Sequence, residues 1–245
     1  MDIYSFIRKT AGDGKKLFAV LIDPDKHTPA SLKKIKTLSV KAGVDLFFFG
    51  GSLLTNDRVD EYLTRLKEDC SIPVVLFPGN NFQVNRKADG ILFLSLISGR
   101  NPELLIGKHV VAAPYLKASR LEVIPTGYIL IDGGCTTTVS YISSTIPIPS
   151  GKPGIASCTA LAGEFLGLKL IYLDAGSGAH QPVSQEMISQ VKQAISVPLI
   201  VGGGIRTAAK ARRSARAGAD IVVVGNALEN NPELVMQFSE SIHKQ

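Results

Sequence analysis

The sequence predicts an α/β protein folded as a single (β/α)8 TIM barrel. Eight short runs of apolar, β-branched and aromatic residues recur along the 245-residue chain, and helical patterns lie between most of them. The runs are nearly continuous in hydrophobicity, as is typical of parallel strands that are covered on both faces. Strands that alternate with helices in this number favour a closed barrel over an open sheet. No linker, low-complexity tract or charge run divides the chain, so residues 1–245 are predicted to form one domain.

The predicted elements follow one another at uneven intervals. The predicted strands are Leu17–Asp23, Val44–Gly50, Val74–Pro78, Gly90–Leu94, Tyr128–Asp132, Leu170–Asp174, Leu199–Gly203 and Asp220–Gly225. The predicted helices lie near Ala30–Ala42, Asp57–Lys67, Pro102–Val111, Gly154–Leu166, Ser184–Ala194, Thr207–Ala217 and Pro232–His243. Residues 79–89 leave little room for a helix, whereas residues 96–126 form a long connection. We therefore expect the third helix to be short or missing and the connection after the fourth strand to be elaborated.

Composition and charge exclude several classes of protein. Hydrophobic residues make up 45% of the chain, which argues against disorder, and the apolar runs are too short to span a membrane. Three cysteines without CxxC spacing fit a reducing compartment, so a cytoplasmic protein is predicted. The net charge of +6 does not indicate nucleic-acid binding, because its densest cluster, residues 210–216, has the pattern of a solvated helix face. Anionic small substrates and an acidic membrane surface both remain compatible with this charge.

Two glycine-rich strand ends predict a phosphate site. The run Val197–Arg206 ends a strand in three glycines that open a helix, and Ala219–Asn226 ends the next strand in Gly-Asn. Glycines let a backbone approach a ligand closely, and a helix N-terminus offers free N–H groups to an anion. In TIM barrels the loops after strands seven and eight frequently hold phosphate. The alternative interpretation is that these glycines only serve tight turns.

Polar residues at other strand ends supply candidate chemistry. Asp23 follows the first strand, where a carboxylate suits Mg²⁺ shared with substrate phosphates, although helix capping is an alternative and is preferred for Asp25. The loop Tyr172–Gly178 combines a phenol, a carboxylate, a hydroxyl and two glycines. Such a loop can bind a polyol phosphate and place Asp174 beside a hydroxyl as a general base.

These residues lie in motifs that resemble the geranylgeranylglyceryl phosphate synthase family, including its bacterial heptaprenylglyceryl phosphate synthase relatives. The resemblance covers essentially the whole chain. The matching stretches are LIDPDK (21–26), FGGS (49–52), LFPGN (76–80), SGRNPELLIGKHV (98–110), GYILIDGG (127–134), YLDAGSGA (172–179), VGGGIR (201–206) and VGNALE (224–229). Many phosphate-binding barrels share the triple-glycine and Gly-Asn loops, whereas FGGS, SGRNPELLIGKHV and YLDAGSGA are more specific.

The resemblance implies a function and a set of site residues. The family uses Mg²⁺ to join a polyprenyl diphosphate, here expected to be geranylgeranyl diphosphate, to the sn-3 hydroxyl of sn-glycerol 1-phosphate. By position, Asp23 and Ser52 would hold Mg²⁺, and Asp174 would accept the proton. The residues implied to bind sn-glycerol 1-phosphate are Tyr172, Leu173, Asp174, Ala175, Gly176, Ser177, Gly178, Gly203, Gly204, Gly225 and Asn226. The family usually has Glu where this chain has Asp174, which sets the carboxylate back by one methylene.

The resemblance also implies a homo-oligomer, and the lipid substrate implies at most peripheral contact with a membrane. Phe and Leu residues of the long fourth connection would line a groove for the prenyl tail, or else belong to an ordinary core. Two alternatives remain open at this point. The first alternative is another phosphate-binding barrel enzyme of amino-acid or sugar-phosphate metabolism. The second is a family member that binds phosphoglycerol without catalysis.

Overall fold

The computed structural model describes residues 2–244, in which eight parallel strands close into a barrel in sequence order. The strands are β1 (Leu17–Ile22), β2 (Leu46–Phe49), β3 (Val74–Leu76), β4 (Gly90–Leu96), β5 (Glu122–Leu130), β6 (Leu170–Asp174), β7 (Leu199–Gly202) and β8 (Ile221–Val224). The barrel closes where β8 pairs with β1, with Leu17 opposite Ile221. The predicted (β/α)8 fold class is therefore confirmed.

Helices lie between most of the strands. They are α1 (Ile3–Gly12), α2 (Pro29–Ala42), α3 (Val59–Lys67), α4 (Lys108–Ser119), α5 (Thr138–Ser143), α6 (Pro153–Phe165), α7 (Gln185–Ala194), α8 (Ala208–Arg216), α9 (Asn226–Asn230) and α10 (Val235–His243). The sequence patterns missed α1, α5 and α9. The first of these has a structural reason to form, because its buried Ile3 and Ile7 pack in the same cluster as Leu17 and Leu170, at the strand starts. α1 therefore covers the N-terminal end of the barrel.

Side chains along each strand alternate between two apolar clusters, as the period of a strand requires. One cluster packs against the helices and includes Phe47 and Leu173. The other fills the barrel interior and includes Phe48 and Tyr172. Polar residues at the C-terminal ends of the interior-facing rows therefore point into the barrel mouth, and Asp174 is one of them.

The connections after β3, β4 and β5 depart from the regular barrel. The third helix was predicted to be short or missing, and no helix occurs in residues 77–89. After β4, a π-helical turn at Glu103–Gly107 leads into α4. β5 begins at Glu122 rather than at the predicted Tyr128, so the connection after β4, residues 97–121, ends earlier than expected. The connection after β5, residues 131–169, is the longer of the two. The prediction was wrong because Glu122, Pro125 and Gly127 weaken the strand pattern, although all three pair in register with β4.

Three further predictions concern the surface and the thiols. Across residues 2–244, no helix combines the length and the apolar character that crossing a membrane would need. Cys70, Cys135 and Cys158 are free thiols, and the predicted reducing compartment stays a prediction. The basic stretch lies on α8, where Arg212 and Arg216 are exposed, as expected for a solvated helix face.

Candidate active site

The strand ends of β1, β2 and β6 to β8 frame a polar pocket of about 300 Å³ at the C-terminal face of the barrel. The structure brings most of the predicted site residues to this one pocket. Those that line it are Asp23, Ser52, Tyr172, Asp174, Ser177, Gly178, Gly203, Gly204, Gly225 and Asn226. Residues from five strand ends, far apart in sequence, thus share one small volume.

Three predicted residues of the β6 loop lie outside the pocket lining. The side chains of Leu173 and Ala175 are buried in the helix-facing cluster, because they occupy the alternate positions of the strand. Gly176 has φ +88°, and a Cβ on it would lie 2.7 Å from the Thr137 hydroxyl. These three residues shape the loop, and any contact they make with a ligand would come from the backbone.

Asp174 is buried in the pocket wall with both carboxylate oxygens engaged. The Tyr128 hydroxyl donates to Oδ2 at 2.6 Å, and the N–H of Gly176 donates to Oδ1 at 2.7 Å. Burial raises the pKa of Asp174, and these two hydrogen bonds oppose that rise. Each carboxylate oxygen keeps a second lone-pair site. Asp174 is therefore an oriented carboxylate that can still accept a proton.

Aromatic rings form the floor of the pocket below Asp174. Phe77 stacks on Tyr172 with ring centroids 5.4 Å apart, and Tyr128 meets Tyr172 edge-on at the same distance. Burial raises the pKa of both tyrosines well above the usual phenol value, so both stay protonated near neutral pH. Sequence reasoning missed Tyr128, because an aromatic residue within an apolar strand looks like ordinary core.

The glycines after β7 are required both by their backbone conformation and by the close packing around them. Gly203 and Gly204 have φ of +79° and +68°, a region that side chains other than glycine seldom adopt. A Cβ on Gly203 would lie 2.5 Å from Oδ1 of Asp174. Within residues 2–244, the N–H groups of Gly203, Gly204 and Gly225 have no hydrogen-bond acceptor. These free donors at the pocket wall suit an anion such as phosphate.

Asn226 ties the β8 loop to the β6 loop. Its side-chain oxygen accepts from the Ser177 hydroxyl at 3.1 Å and from the N–H of Gly178 at 3.3 Å. Its amide nitrogen donates to Glu229 at 3.1 Å. The Asn226 side chain thus helps to fix the loop that carries Ser177 and Gly178.

Two cations at the pocket were not predicted as site residues. The Lys26 ammonium lies 3.4 Å from Asp23 and 3.6 Å from Glu229, and donates to the Ser177 hydroxyl at 3.4 Å. Arg206 donates to the carbonyl oxygens of residues 178 and 179. Both residues stand in quoted motifs, LIDPDK and VGGGIR, so their positions in those motifs were the available signal. Lys26 therefore places a positive charge in the same pocket as the free N–H groups of the glycine loops.

The contacts of Asp23 and Ser52 show whether these two residues fit the predicted Mg²⁺ site. Asp23 accepts from the N–H of Asp25 at 3.1 Å and so caps a short 3-10 turn at Pro24–Lys26, while Ser52 lines the same pocket. In residues 2–244 no three His, Cys, Asp or Glu residues converge as a metal site. Mg²⁺ is often bound by one or two carboxylates together with substrate phosphates, so this oxygen donor set fits it.

Asp25 has a structural role, but a different one from the predicted helix cap. Its carboxylate accepts from the N–H and hydroxyl of Thr55, at 2.6 and 2.7 Å, and from the amide of Asn56 at 2.5 Å. Asp25 therefore anchors the loop after β2, which carries Ser52.

A second, apolar cavity of about 150 Å³ adjoins the polar pocket. It lies among β3, β4 and α4, on the side of the barrel where the third helix is missing. Its apolar lining includes Phe77, Pro78, Val84, Ile91, Leu92, Phe93, Leu94, Leu96, Leu104, Ala112, Leu116, Val139 and Ile142. Ser52, Phe77 and Tyr128 line both spaces. The barrel mouth thus offers a phosphate-type pocket and an apolar cavity with a common wall.

Comparison with known proteins places this chain in a family. Residues 12–242 match the model of the PcrB family. The chain belongs to the PcrB family. Curated relatives of this PcrB protein carry the name geranylgeranylglyceryl phosphate synthase. One from Chitinophaga pinensis is 56% identical over 98% of this chain and 94% of its own length. One from Methanothermobacter marburgensis is 40% identical over 99% of this chain and 98% of its own length.

Solved structures agree with this assignment. The (S)-3-O-geranylgeranylglyceryl phosphate synthase of Thermoplasma acidophilum, in complex with its substrate sn-glycerol-1-phosphate, has a TM-score of 0.94 at 33% identity and full coverage of both chains. The enzyme of Thermoplasma volcanium has a TM-score of 0.92 at 35% identity over 100% of this chain and 99% of its own. Tryptophan synthase of Mycobacterium tuberculosis, at 16% identity and TM-score 0.65, shares the fold alone.

Proposed function

We propose that this PcrB-family protein is a prenyltransferase that joins a polyprenyl group to the sn-3 hydroxyl of sn-glycerol 1-phosphate. Geranylgeranyl diphosphate is the expected donor, and an ether-lipid precursor and pyrophosphate are the products. The observation that carries the proposal is the shared wall between the polar pocket and the apolar cavity. Relatives at 56% and 40% identity, named for this reaction, support it.

The polar pocket would bind sn-glycerol 1-phosphate. Its phosphate would accept hydrogen bonds from the free N–H groups of Gly203, Gly204 and Gly225, with the charge of Lys26 nearby. The glycerol would then extend toward Ser177 and Asp174, which line the same pocket. A structure of a 33% identical relative with bound sn-glycerol-1-phosphate supports this assignment.

The reaction forms one bond and breaks another at the first carbon of the prenyl group. The glycerol oxygen bonds to that carbon as the carbon–oxygen bond to diphosphate breaks, and pyrophosphate leaves with the bonding electrons. An allylic carbon tolerates developing positive charge, so the hydroxyl needs chiefly to be positioned and deprotonated late. Asp174 would accept this proton, with Tyr128 and Gly176 holding its carboxylate in place.

Mg²⁺ would be held by Asp23 and Ser52 together with diphosphate oxygens. When bound, it would neutralise negative charge on the leaving pyrophosphate. The apolar cavity would take the first part of the prenyl chain, because its walls offer aliphatic and aromatic surface directly beside Ser52. We further propose that the chain is one domain and acts in a homo-oligomer, as the family resemblance implies.

A radiolabelled transfer assay tests the proposal. Purified protein would be given prenyl diphosphates of different lengths, with sn-glycerol 1-phosphate or sn-glycerol 3-phosphate, in Mg²⁺ or in excess EDTA. We expect lipid product from the 1-phosphate, loss of product in EDTA, and the highest kcat/KM with the geranylgeranyl donor.

The same assay distinguishes the alternatives. Folded protein that binds glycerol phosphate but yields no product with any donor would indicate a non-catalytic member. Protein that neither binds sn-glycerol 1-phosphate nor forms product would point to a different phosphate-binding barrel enzyme.

A further inference from the structure

Gln83 is a buried polar residue in the helix-free connection after β3. Its side chain is 7% exposed, whereas that of the preceding Phe82 is 93% exposed, so the chain turns Gln83 inward. Glutamine is mostly found at protein surfaces, and a buried glutamine is expected to have hydrogen-bond partners. The reaction proposed above gives this residue no role.

Both ends of the Gln83 amide bond to backbone groups at the barrel mouth. Its Nε2 donates to the carbonyl oxygen of Gly51 at 3.1 Å, and its Oε1 accepts from the N–H of Gly79 at 3.1 Å. These partners fix the orientation of the amide, because a carbonyl oxygen only accepts and an N–H only donates. Gln83 therefore ties the loop after β2 to the loop after β3.

The hydrogen bond to Gly51 acts on the next residue, Ser52. The Gly51 carbonyl belongs to the peptide unit that leads into Ser52, and because this unit is planar, holding its oxygen also restricts the N–H and Cα of Ser52. Gly51 and Ser52 line both the polar pocket and the apolar cavity. Gln83 lines neither space, so any influence on a ligand would pass through these two residues.

The backbone around Ser52 is closely packed as well as hydrogen-bonded. A Cβ on Gly51 would lie 3.3 Å from the carboxylate of Asp23, and a Cβ on Gly79 would collide with the carbonyl oxygens of Gly51 and Ser52. Further along the same loop, Asp25 holds residues 55 and 56. Ser52 thus lies between two anchors, of which Gln83 is the nearer in sequence.

We propose that Gln83 is a positioning residue for the prenyl donor, which sets the orientation of Ser52 and thereby the affinity for the diphosphate end of the donor. This inference rests on the proposed function, which assigns that diphosphate to Asp23 and Ser52. Residues that orient a ligand-binding side chain from behind commonly change affinity by tenfold or more when they are replaced.

Asn85 provides a matched control in the same connection. Its amide nitrogen donates to the Asp60 carboxylate on α3 at 3.1 Å, and its side-chain oxygen accepts from the N–H of Lys87 at 2.9 Å. Neither contact involves the loop after β2. Gln83→Met and Asn85→Leu each remove an amide with two hydrogen bonds and keep a side chain of similar size, but only the first releases Gly51.

Calorimetric titration separates the two ligands. The titrants would be sn-glycerol 1-phosphate and, with Mg²⁺, a non-reactive thio analogue of geranylgeranyl diphosphate. We expect the Kd of Q83M for the analogue to rise about tenfold and its Kd for sn-glycerol 1-phosphate to change by less than about twofold. N85L should bind both ligands like the wild type.

Hydrogen exchange measures the loop without any ligand or metal. Peptides covering residues 50–56 should exchange faster in Q83M than in the wild type or N85L, because the hydrogen bond to Gly51 is lost. Thermal melting would show that both variants fold. If Q83M did not fold, Gly79→Ala would replace it, since the added Cβ displaces the Gly51 carbonyl while Gln83 is kept, and it should weaken analogue binding in the same selective way.

Three results would overturn the role of Gln83. They are undiminished binding of the analogue by Q83M, equal weakening of both ligands, and an equal loss in N85L. Wild-type protein that bound sn-glycerol 1-phosphate but not the analogue would instead refute the proposed function. That outcome is distinct from normal wild-type binding with an unaffected Q83M, which would refute the positioning role alone.

Discussion

The two sides of the barrel mouth are built in different ways. On the side of β6 to β8, short glycine-rich loops place free N–H groups and charged side chains around the polar pocket, and Asn226 and Lys26 connect the loops. On the side of β3 and β4, a helix is missing, and apolar strand residues and α4 enclose the apolar cavity. The barrel mouth thus presents a polar pocket and an apolar cavity side by side, because the connections on its two sides differ.

The difference predicts that the two sides can be damaged separately. Changes on the polar side should affect chemistry and sn-glycerol 1-phosphate binding. Changes on the apolar side should affect the prenyl donor and, because an open cavity leaves packing unsatisfied, protein stability. Four substitutions test this separation.

Asp174→Asn should have the largest effect, because Asn cannot accept the proton. We expect kcat to fall by about 10²- to 10⁴-fold while sn-glycerol 1-phosphate still binds. Rapid-quench turnover and calorimetric titration would measure the two quantities. Near-normal turnover would remove Asp174 from the mechanism.

The same variant has a predicted stability signature. Burial raises the pKa of Asp174, so its protonated form stabilises the native state. That contribution is fully present below the unfolded-state pKa and is lost as the pH rises through the folded-state pKa. Asp174→Asn, which stays neutral, should therefore melt at an equal or higher temperature than wild type at neutral pH. A lower Tm would indicate that the ionised carboxylate is structural.

Gly203→Ala should weaken substrate binding on the polar side. The added Cβ would lie 2.5 Å from Asp174 Oδ1, and the backbone φ of +79° is unfavourable for alanine. We therefore expect KM for sn-glycerol 1-phosphate to rise about tenfold and the free energy of unfolding to fall by about 1–3 kcal/mol. Gly154→Ala is the control, because a Cβ there meets nothing within 4 Å and Gly154 lies in α6. The control should be neutral or slightly stabilising. Equal losses in both variants would contradict the close fit at Gly203.

Ala112→Leu should act on the apolar side only. Ala112 lines the cavity, so the larger side chain should fill it. We expect KM for geranylgeranyl diphosphate to rise about tenfold and KM for shorter donors to stay unchanged. Filling the cavity should also stabilise the chain by about 1 kcal/mol. Ala156 is fully buried in the helix-facing core and lines neither space, so Ala156→Leu should destabilise by about 1–3 kcal/mol through overpacking. A change in the KM for sn-glycerol 1-phosphate in Ala112→Leu would break the separation.

The polar side was far more predictable from the sequence than the apolar side. Glycines and a strand-end Asp are local signals, so Gly203, Gly204 and Asp174 could be placed before the fold was known. The apolar cavity depends on distant elements that meet in space, and its Leu and Phe residues have the same pattern as core. Tyr128 was not predicted as a site residue for the same reason. The start of β5 was predicted six residues too late, because Pro125 and Gly127 interrupt the strand pattern. Leu173 and Ala175 were grouped with the site by motif, whereas strand alternation turns their side chains away.

Tyr128→Phe should have the smallest effect, on pH dependence. Asp174 must be ionised to accept a proton, so activity should fall as the pH drops through its raised pKa. The hydrogen bond from Tyr128 lowers the pKa of Asp174. Its removal should raise that pKa further and move the acid limb of kcat to higher pH. Tyr62→Phe is the control, because its buried hydroxyl donates at 2.7 Å to the carbonyl of His27, away from Asp174. A shift in both variants, or in neither, would count against coupling between Tyr128 and Asp174.

The most direct test of the two-sided mouth is a crystal structure of this chain with sn-glycerol 1-phosphate and a non-reactive thio analogue of geranylgeranyl diphosphate. The account predicts phosphate at Gly203, Gly204 and Gly225, the glycerol sn-3 hydroxyl about 3 Å from Asp174, and the prenyl tail in the cavity beside α4. A tail bound outside that cavity, or a phosphate bound away from the glycine loops, would contradict it.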